Sequence, residues 1–377
     1  MQTKRFGLCA ALSAAALLLL AGCAGSGSTA APTLTVESSY PLQYAKQFTV
    51  DECTGGYELI TIADSKYLVV PQGAAVPEDL PQGTTVLQQP IENIYLVSTS
   101  AMDPIISLGA LDSIALSGTK ADGWYLPEAK AAMQAGQIAY AGKYSAPDYE
   151  TILASGCGLA IENTMIYHTP EVKEQLEKFG IPVLVERSSY ETDPLARMEW
   201  VKLYGILLGK KQEAEQLFDT QVQRVAPLEN QQPTGKSVAF FSITSNNLVT
   251  VRKGSDYVAR MIEMAGGSYV FADLTDNGNN LATINLSLED FYAGAKDADV
   301  LLYNSTIEGS IASTEQLVEK CPLLAQFKAV QNGNVWCTAQ SLFQQSMELP
   351  DLILDMNRVF AEGTPADSEL TFLTHVE

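Results

Sequence analysis

The chain has 377 residues, of which 46% are apolar and 18% charged, and its formal net charge is −21. This composition indicates a folded protein of about two domains. The excess of Asp and Glu argues against a nucleic-acid binder, because such proteins neutralise phosphates with basic side chains. Only two histidines, His168 and His375, are present. The chain therefore cannot supply a three-histidine zinc site.

The first 22 residues have the pattern of a secretion signal. Lys4 and Arg5 precede the apolar run 6–20, which is short for a membrane span but typical of a signal-peptide core. The run ends in 20–23 (LAGC), which resembles a bacterial lipoprotein signal and implies that Cys23 becomes the lipidated first residue. An ordinary secretory cleavage site beside an unrelated cysteine is the alternative. We expect an extracytoplasmic protein that is lipid-anchored to the cell membrane.

Strands and helices alternate after a Gly/Ser/Ala-rich tether at 23–35. A hairpin is predicted at 57–70, with its turn at Asp64 and Ser65. The next predicted elements are strands at 93–97, 113–116, 139–140, 159–161 and 182–185, and helices at 102–108, 127–134, 149–154 and 170–179. Such alternation is typical of a mainly parallel sheet covered by helices on both faces.

A helical segment separates this region from a second α/β region. Asp193 followed by Pro194 predicts a helix start, with an N-cap acid and proline at the first helical position. Helices are predicted at 195–208 and 212–228, before a break at 231–235 (QQPTG). The second α/β region has predicted strands at 237–243, 300–303 and 335–337, and helices at 257–264, 289–295, 317–330 and 351–360.

These patterns predict an α/β fold of two lobes, each with a mainly parallel sheet flanked by helices, joined by a rigid connecting helix. The predicted boundaries are a signal peptide at 1–22, a flexible tether at 23–35, an N-terminal lobe at 36–192, a helical connector at 193–230 and a C-terminal lobe at 231–377. No segment after the signal approaches the roughly 18 consecutive apolar residues of a spanning helix.

The common catalytic motifs are missing from the sequence. There is neither a G-x-S-x-G nucleophile elbow nor a G-x-G-x-x-G turn opening a helix. Segment 205–211 (GILLGKK) lacks the glycine spacing of a phosphate-binding loop. No set of side chains suggests a nucleophile with its base. We therefore expect a binding protein rather than an enzyme, with no cofactor and no metal site of its own.

The cysteine pattern leaves two interpretations open. Cys321 and Cys337 could pair in an oxidising exterior, but their spacing does not decide whether they do. The alternative is that Cys53, Cys157 and these two are small buried residues.

Four segments carry a family resemblance when they are taken together. In chain order they are 93–111 (NIYLVSTSAMDPIISLGAL), 142–161 (GKYSAPDYETILASGCGLAI), 178–183 (KFGIPV) and 257–271 (YVARMIEMAGGSYVF). They resemble the substrate-binding lipoproteins of ABC importers, in the class that takes up iron complexes and vitamin B12. Gly158-Leu159 departs from that class, which usually begins this strand with Pro-Asp-Leu. The resemblance covers roughly residues 50–362.

The resemblance implies a partner and a mode of docking. Members of the class deliver their ligand to a membrane permease, which works with an ATPase, and one glutamate on each lobe meets arginines of the permease. By position these are Glu150 and Glu289, each near the first turn of a predicted helix. An acid there also suits the helix dipole, so simple helix capping is the alternative interpretation. The class also implies that one long helix bridges the lobes and limits their movement.

The ligand is expected between the lobes, because α/β folds bind ligands at the carboxyl ends of their strands. The candidate contacts in the loops there are Ser98, Thr99, Ser100, Met102, Trp124, Tyr125, Tyr144, Arg252, Tyr257, Asn304 and Phe343. Aromatic side chains with few charges suit an iron siderophore, haem or a corrinoid, and the sequence does not choose among them. We expect a monomer that binds no nucleic acid. The alternatives are a membrane-tethered adhesion or sensory module and a tethered enzyme acting on a metal chelate.

Overall fold

The computed structural model describes residues 32–275 and 282–377, so the predictions of a signal peptide and of a lipid on Cys23 lie outside the described residues. The strands are β1 Val36–Ser39, β2 Phe48–Cys53, β3 Tyr57–Ile62, β4 Ser65–Val70, β5 Thr84–Gln88, β6 Ile94–Leu96, β7 Ile114–Ser117, β8 Ala139–Tyr140, β9 Gly142–Lys143, β10 Ala146–Pro147, β11 Ala160–Glu162, β12 Val183–Val185, β13 Ser237–Ile243, β14 Val249–Arg252, β15 Ser268–Tyr269, β16 Thr283–Leu286, β17 Val300–Tyr303, β18 Val335–Thr338 and β19 Leu373–His375. The helices are α1 Met102–Ser107, α2 Pro127–Gln134, α3 Tyr149–Ala154, α4 Pro170–Lys178, α5 Pro194–Leu207, α6 Lys211–Val225, α7 Tyr257–Met264, α8 Leu288–Ala295, α9 Ser305–Glu308, α10 Thr314–Lys320, α11 Lys328–Gln331 and α12 Leu349–Glu362.

The first lobe, called the N-lobe, is a parallel sheet in the order β12-β11-β6-β7-β8 with α1 to α4 in its crossovers. Its strands are short and apolar, and β6 and β12 are buried at every residue. Strands buried on both faces are expected where helices cover both sides of a parallel sheet. The strand and helix predictions for this lobe agree with the structure to within a residue or two at each end.

A second sheet precedes the N-lobe, and the sequence analysis identified only its central hairpin. This sheet, called the N-terminal sheet, has the order β1-β2-β3-β4-β5. Its first four strands pair antiparallel, and β4 pairs parallel with β5. The outer strands are hard to recognise in sequence because they are polar: all four residues of β1 are exposed. Together with the small two-stranded sheet of β9 and β10, residues 36–192 therefore contain three sheets rather than one.

The connector consists of two helices packed against each other. Asp193 caps α5 as predicted, since its side chain accepts a hydrogen bond from the Leu195 amide. Every residue of α5 is buried. At Gly205 a Cβ would lie 2.4 Å from the Cβ of Ala214 in α6, so this glycine permits the close approach of the two helices. Helix α5 therefore lies inside the molecule, whereas α6 buries only Ala214, Phe218 and Val225.

The second lobe, called the C-lobe, is built on a sheet in the order β16-β14-β13-β17-β18-β19, with β15 also paired to β13. Strands β13, β15, β17 and β18 are parallel, and β14, β16 and β19 run antiparallel to their neighbours. Segment 317–330, predicted to be mostly helix, is helical over most of its length but interrupted. The structure has α10, a short 3₁₀ segment at Pro322–Gln326 and α11 there, because Pro322 cannot continue the ladder of α10.

Candidate functional site: the interlobe cleft

The carboxyl ends of the two sheets meet across the boundary between the lobes. The C-lobe segment 339–348, called the bridging loop, follows β18 and contacts N-lobe loops that follow β6 and β7. The Tyr125 amide donates to Gln344 Oε1 (2.8 Å), and Gln344 Nε2 donates to the Gly123 carbonyl (2.9 Å). The Ser346 hydroxyl donates to the Ser100 carbonyl (3.0 Å). The strand ends that usually bind ligands in α/β folds therefore border one shared cleft.

Large apolar side chains are exposed at these strand ends. In the N-lobe they follow β7, β8 and β11, and in the C-lobe they follow β13 and β17. They are Tyr125, Tyr140, Met165, Tyr167, Leu248 and Ile307, with exposed fractions of 39–61%. Their positions at the carboxyl ends of strands in both lobes make them candidates for a ligand-binding surface.

The predicted N-lobe serines interact with a carboxylate that the sequence analysis did not single out. Both Ser98 Oγ (3.0 Å) and Ser100 Oγ (3.1 Å) donate to Glu186 Oε2. The other oxygen, Oε1, accepts from the Ser188 amide (2.7 Å). Ser98 and Glu186 are buried, and Ser100 is half-buried. These serines thus hold the edge of the cleft in position.

Two predicted contacts belong to the hydrophobic core instead. Met102 is fully buried, and Trp124 is 1% exposed with its indole N–H donating to Ser117 Oγ at 3.2 Å. Neither side chain is available to a ligand in this conformation. Tyr144 and Thr99 are half-buried, and Tyr125 is exposed. The sequence indicates where along the chain these residues lie, but it does not show which way each side chain points.

The predicted C-lobe residues also divide into structural and accessible groups. Asn304 is buried and caps α9, since its Oδ1 accepts from the Thr306 amide (3.1 Å). The Arg252 guanidinium lies 4.6 Å from the ring centroid of Phe343, a half-buried residue of the bridging loop. Tyr257 is buried at the start of α7. Arg252 and Phe343 therefore lie together beside the cleft.

An arginine that contacts both lobes was not predicted from the sequence. Arg197 lies in the first turns of α5 and is 8% exposed. Its Nη1 donates to the Ser188 carbonyl (3.3 Å) on the N-lobe side, and its guanidinium lies 4.2 Å from the ring centroid of Tyr257 on the C-lobe side. The sequence predicts that Arg197 lies in the helix at 195–208, but nothing in the sequence indicates that its side chain contacts both lobes.

A pair of carboxyl groups also joins the lobes. Asp103 of α1 is buried, accepts a hydrogen bond from the Met347 amide (2.7 Å) and is hydrogen-bonded to Glu348. Burial, followed by the charge of Glu348, raises the pKa of Asp103 to about 8. A proton shared between the two carboxyl groups satisfies both, since two carboxylates in contact repel each other.

A separate cavity of about 500 Å³ lies away from the cleft. Its lining includes Tyr44 and Asp193, together with Gly235 and Ser268 at the amino ends of β13 and β15. Ligands of α/β folds bind at the opposite ends of the strands. This cavity is therefore distinct from the candidate site.

The cysteines and acidic side chains of the described residues form no further site. Cys53, Cys157, Cys321 and Cys337 are free thiols, so the Cys321–Cys337 pairing that the sequence left open is not formed. Within the described ranges, no group of three or more His, Cys, Asp or Glu side chains could hold a metal ion.

The two candidate docking glutamates are exposed, and neither is an N-cap. Asp148 caps α3 by accepting from the Thr151 amide (3.2 Å). Ser287 caps α8 by accepting from the Asp290 amide (3.0 Å). Glu150 and Glu289 lie within the first turns of these helices with their side chains in solvent. Neither glutamate is the N-cap, and both occupy first-turn positions that also suit the helix dipole.

The fold and the cleft define a two-lobed ligand-binding protein. The family model described as periplasmic binding protein matches residues 96–341, which is more than half of the chain. The chain belongs to the periplasmic binding protein family. It has the helical-connector (class III) form of that fold, as the sequence analysis predicted.

Three individual proteins that resemble this chain share a quarter or less of its sequence. An uncharacterised lipoprotein of Methanocaldococcus jannaschii is 25% identical over 314 residues, covering 79% of this chain and 72% of the relative. A periplasmic haem-binding protein of Pseudomonas aeruginosa has a similar structure (TM-score 0.58, 17% identity, covering 76% of this chain and 99% of that one). An Fe³⁺-hydroxamate transport protein of Saccharomonospora viridis is similar too (TM-score 0.53, 22% identity, covering 71% and 93%). At these identities the two structures show the fold alone.

Across the part of the chain that the structure describes, no helix is both long enough and apolar enough to cross a membrane.

Proposed function

We propose that the protein captures a preassembled metal chelate or tetrapyrrole in the interlobe cleft and delivers it to an ABC import permease. The observation that carries this proposal is the set of six exposed apolar side chains at the strand ends of both lobes. A large, partly apolar ligand such as an iron siderophore, haem or a corrinoid would cover them. Each side chain that becomes fully buried would contribute roughly 1–3 kcal/mol to binding.

Binding without turnover suits the chemistry of the cleft. Glu186, a buried carboxylate at the edge of the cleft, is occupied with structural hydrogen bonds from two serines and an amide. The membership in a family of solute-binding proteins supports the same interpretation. The protein would therefore recognise its ligand by shape and apolar contact and release it unchanged.

Delivery would use the exposed glutamates of both lobes. Glu150 lies on α3 of the N-lobe and Glu289 on α8 of the C-lobe. Carboxylates that lack partners in the free protein can form charge-assisted, bidentate pairs with arginines of a permease. A lipid on Cys23 would keep the protein near that permease at the outer face of the membrane.

A thermal-shift panel of haem, cobalamin and ferric siderophores tests the proposed function. A ligand present at 100 times its Kd should stabilise the folded protein by about 2.7 kcal/mol and raise its Tm measurably. Replacing Tyr125 and Tyr167 together with Ser should reduce that shift. Phe179→Ser is the matched control, because Phe179 is similarly exposed (42%) but lies at the end of α4, away from the cleft. If no member of the panel raises the Tm, the protein does not bind this ligand class.

A further inference from the structure

Two acidic side chains, one from each lobe, are in contact at the boundary between the lobes. Asp103 lies on α1 of the N-lobe and is 4% exposed. Glu348 is the last residue of the bridging loop, directly before α12 of the C-lobe, and is half-buried. Asp103 Oδ2 accepts from the Met347 amide (2.7 Å), and the Asp103 carboxyl forms a second hydrogen bond with Glu348. The second bond requires a proton, because two ionised carboxylates offer no donor.

The surroundings of this pair are mostly acidic. Glu128 of α2 faces Asp103, and Asp351 of α12 faces Glu348. Arg224 of α6 also acts on Glu348, but it forms two hydrogen bonds with Asp351. Within the described ranges, Glu348 Oε2 is buried with no hydrogen-bond partner. A second negative charge in the pair would therefore lack compensation.

Helix α5 packs against α1, but its charged side chains are engaged elsewhere. Arg197 contacts residues of both lobes, as described above, and Glu199 pairs with Lys202 (2.8 Å). The 3₁₀ turns on either side of α1 carry one charged side chain, Asp112, which is exposed. These elements therefore provide no base that would favour ionisation of Asp103.

We propose that the Asp103–Glu348 pair, called the carboxyl latch, ties the lobes together through a shared proton, so that opening of the cleft is coupled to release of that proton. In the closed molecule Asp103 donates to Glu348 and accepts from Met347, which bonds the N-lobe twice to the C-lobe. When the lobes separate, both carboxyl groups gain water and ionise, and the proton passes to the solvent. The latch is then open.

The latch should weaken as the pH rises. Burial, followed by the charge of Glu348, raises the pKa of Asp103 to about 8, from a usual value near 3.8. The closed molecule therefore holds a proton that the separated groups release at much lower pH. Between these two values each increase in pH favours the open molecule, because the closed one binds the extra proton. The stabilisation by the latch is complete in acid and lost above about pH 8.

Hydrogen exchange of the protein without ligand tests the latch between pH 5 and pH 8. The readouts are the protection factors of two amides that bond across the boundary, Met347 to Asp103 and Tyr125 to Gln344. The second amide belongs to a separate contact, so it reports separation of the lobes rather than a local change at the latch. In wild type both factors should fall by at least about tenfold over this range, since one coupled proton changes an equilibrium by up to about tenfold per pH unit.

Two variants keep the hydrogen bonds of the latch without its proton. In Asp103→Asn the side-chain carbonyl can accept from Met347 and the amide can donate to Glu348. In Glu348→Gln the amide can donate to an ionised Asp103. Both variants should show equal protection at pH 5 and pH 8. Their melting temperatures show whether they fold, and either variant that folds suffices for the test.

Glu162→Gln is the matched control, because Glu162 is also a buried acid but lies within the N-lobe, at the end of β11. It should keep the wild-type fall in protection at both amides. Constant protection in wild type, or a fall of wild-type size in a folded latch variant, would overturn the inference. Because no ligand is present, neither result bears on the proposed function.

Discussion

Glu162, at the carboxyl end of β11, is a buried acid without a hydrogen-bond partner for either side-chain oxygen. Burial raises its pKa to about 8, from a usual value near 4.5. The folded protein therefore holds a proton on Glu162 that the unfolded chain releases at much lower pH. Between these two values the stability falls as the pH rises, since the folded state binds the extra proton. The destabilisation that comes from ionising buried Glu162 is absent below about pH 4.5 and complete above about pH 8.

Replacing Glu162 with Gln should remove this pH dependence. We expect Glu162→Gln to gain stability over wild type as the pH increases across that window, by roughly 5 kcal/mol at most. Urea unfolding at a series of pH values from 4.5 to 9 measures the difference. Glu171→Gln is the control, because Glu171 is an exposed acid of α4. Stability curves that run parallel for Glu162→Gln and wild type would contradict the pKa shift.

The sequence could not predict such properties of single residues. Trp124 and Glu162 show two properties that the sequence does not reveal. Trp124 was expected at the ligand but is buried in the core, and Glu162, an acid at a strand end, is buried without a hydrogen-bond partner. Local sequence predicts which loop or strand carries a residue, because backbone periodicity is local. Whether a side chain is buried depends on which elements from distant parts of the chain pack against it. A single sequence does not show which elements pack together.

At the scale of elements, the connector is held by carboxylates that bind backbone amides. Residues 43–47, called the strap, join β1 to β2. Glu199 of α5 accepts from the amides of Gln43, Tyr44 and Ala45 (2.7–2.8 Å). Glu191 accepts from the next two amides of the strap (2.9–3.1 Å). These bonds fix the N-terminal sheet to the connector.

Glu199→Gln should loosen the strap. The glutamine side chain would offer one acceptor oxygen where the glutamate offers two. It would also leave Lys202 without its counter-charge, since this buried lysine lies 2.8 Å from Glu199. We expect a loss of roughly 2–4 kcal/mol in the free energy of unfolding, measured with urea. Hydrogen exchange at the strap amides should become faster. Glu215→Gln, which affects a bond to the Tyr40 hydroxyl at the edge of the same interface, should cost much less. Unchanged protection of the strap in Glu199→Gln would refute this role.

Helix α9 and strands β14, β15, β16 and β19 of the C-lobe were missed. The main helices and parallel strands of both lobes were predicted well, because apolar periodicity, N-caps and prolines mark them locally. The N-terminal sheet and the burial of α5 were not. Helix α5 contains Arg197, Glu199 and Lys202, which in sequence suggest a solvated face. The strap and the N-terminal sheet cover part of that face, and the resulting amide bonds make buried charges tolerable. Only the tertiary arrangement contains that information.

For the whole molecule, docking requires both lobes to present their glutamates at once. Replacing Glu150 and Glu289 together with Ala should abolish uptake of the ligand in cells and leave its affinity for the isolated protein unchanged. The matched control is Glu171→Ala with Glu315→Ala, two exposed acids in the first turns of α4 and α10. That control should transport normally. Normal uptake by the Glu150/Glu289 variant would contradict the docking assignment.

If Cys23 carries the proposed lipid anchor, the strap also decides which part of the protein is stationary relative to the membrane. The chain arrives from the tether at β1, and the N-terminal sheet is bonded both to α5 through the strap and to the N-lobe through the Tyr67 hydroxyl on the Val183 carbonyl (3.1 Å). With Cys23 as the anchor, the N-terminal sheet, α5 and the N-lobe would form one rigid frame. Opening of the cleft then amounts to displacement of the C-lobe against that frame. A pull on the tether would be carried by the frame and would not act on the cleft.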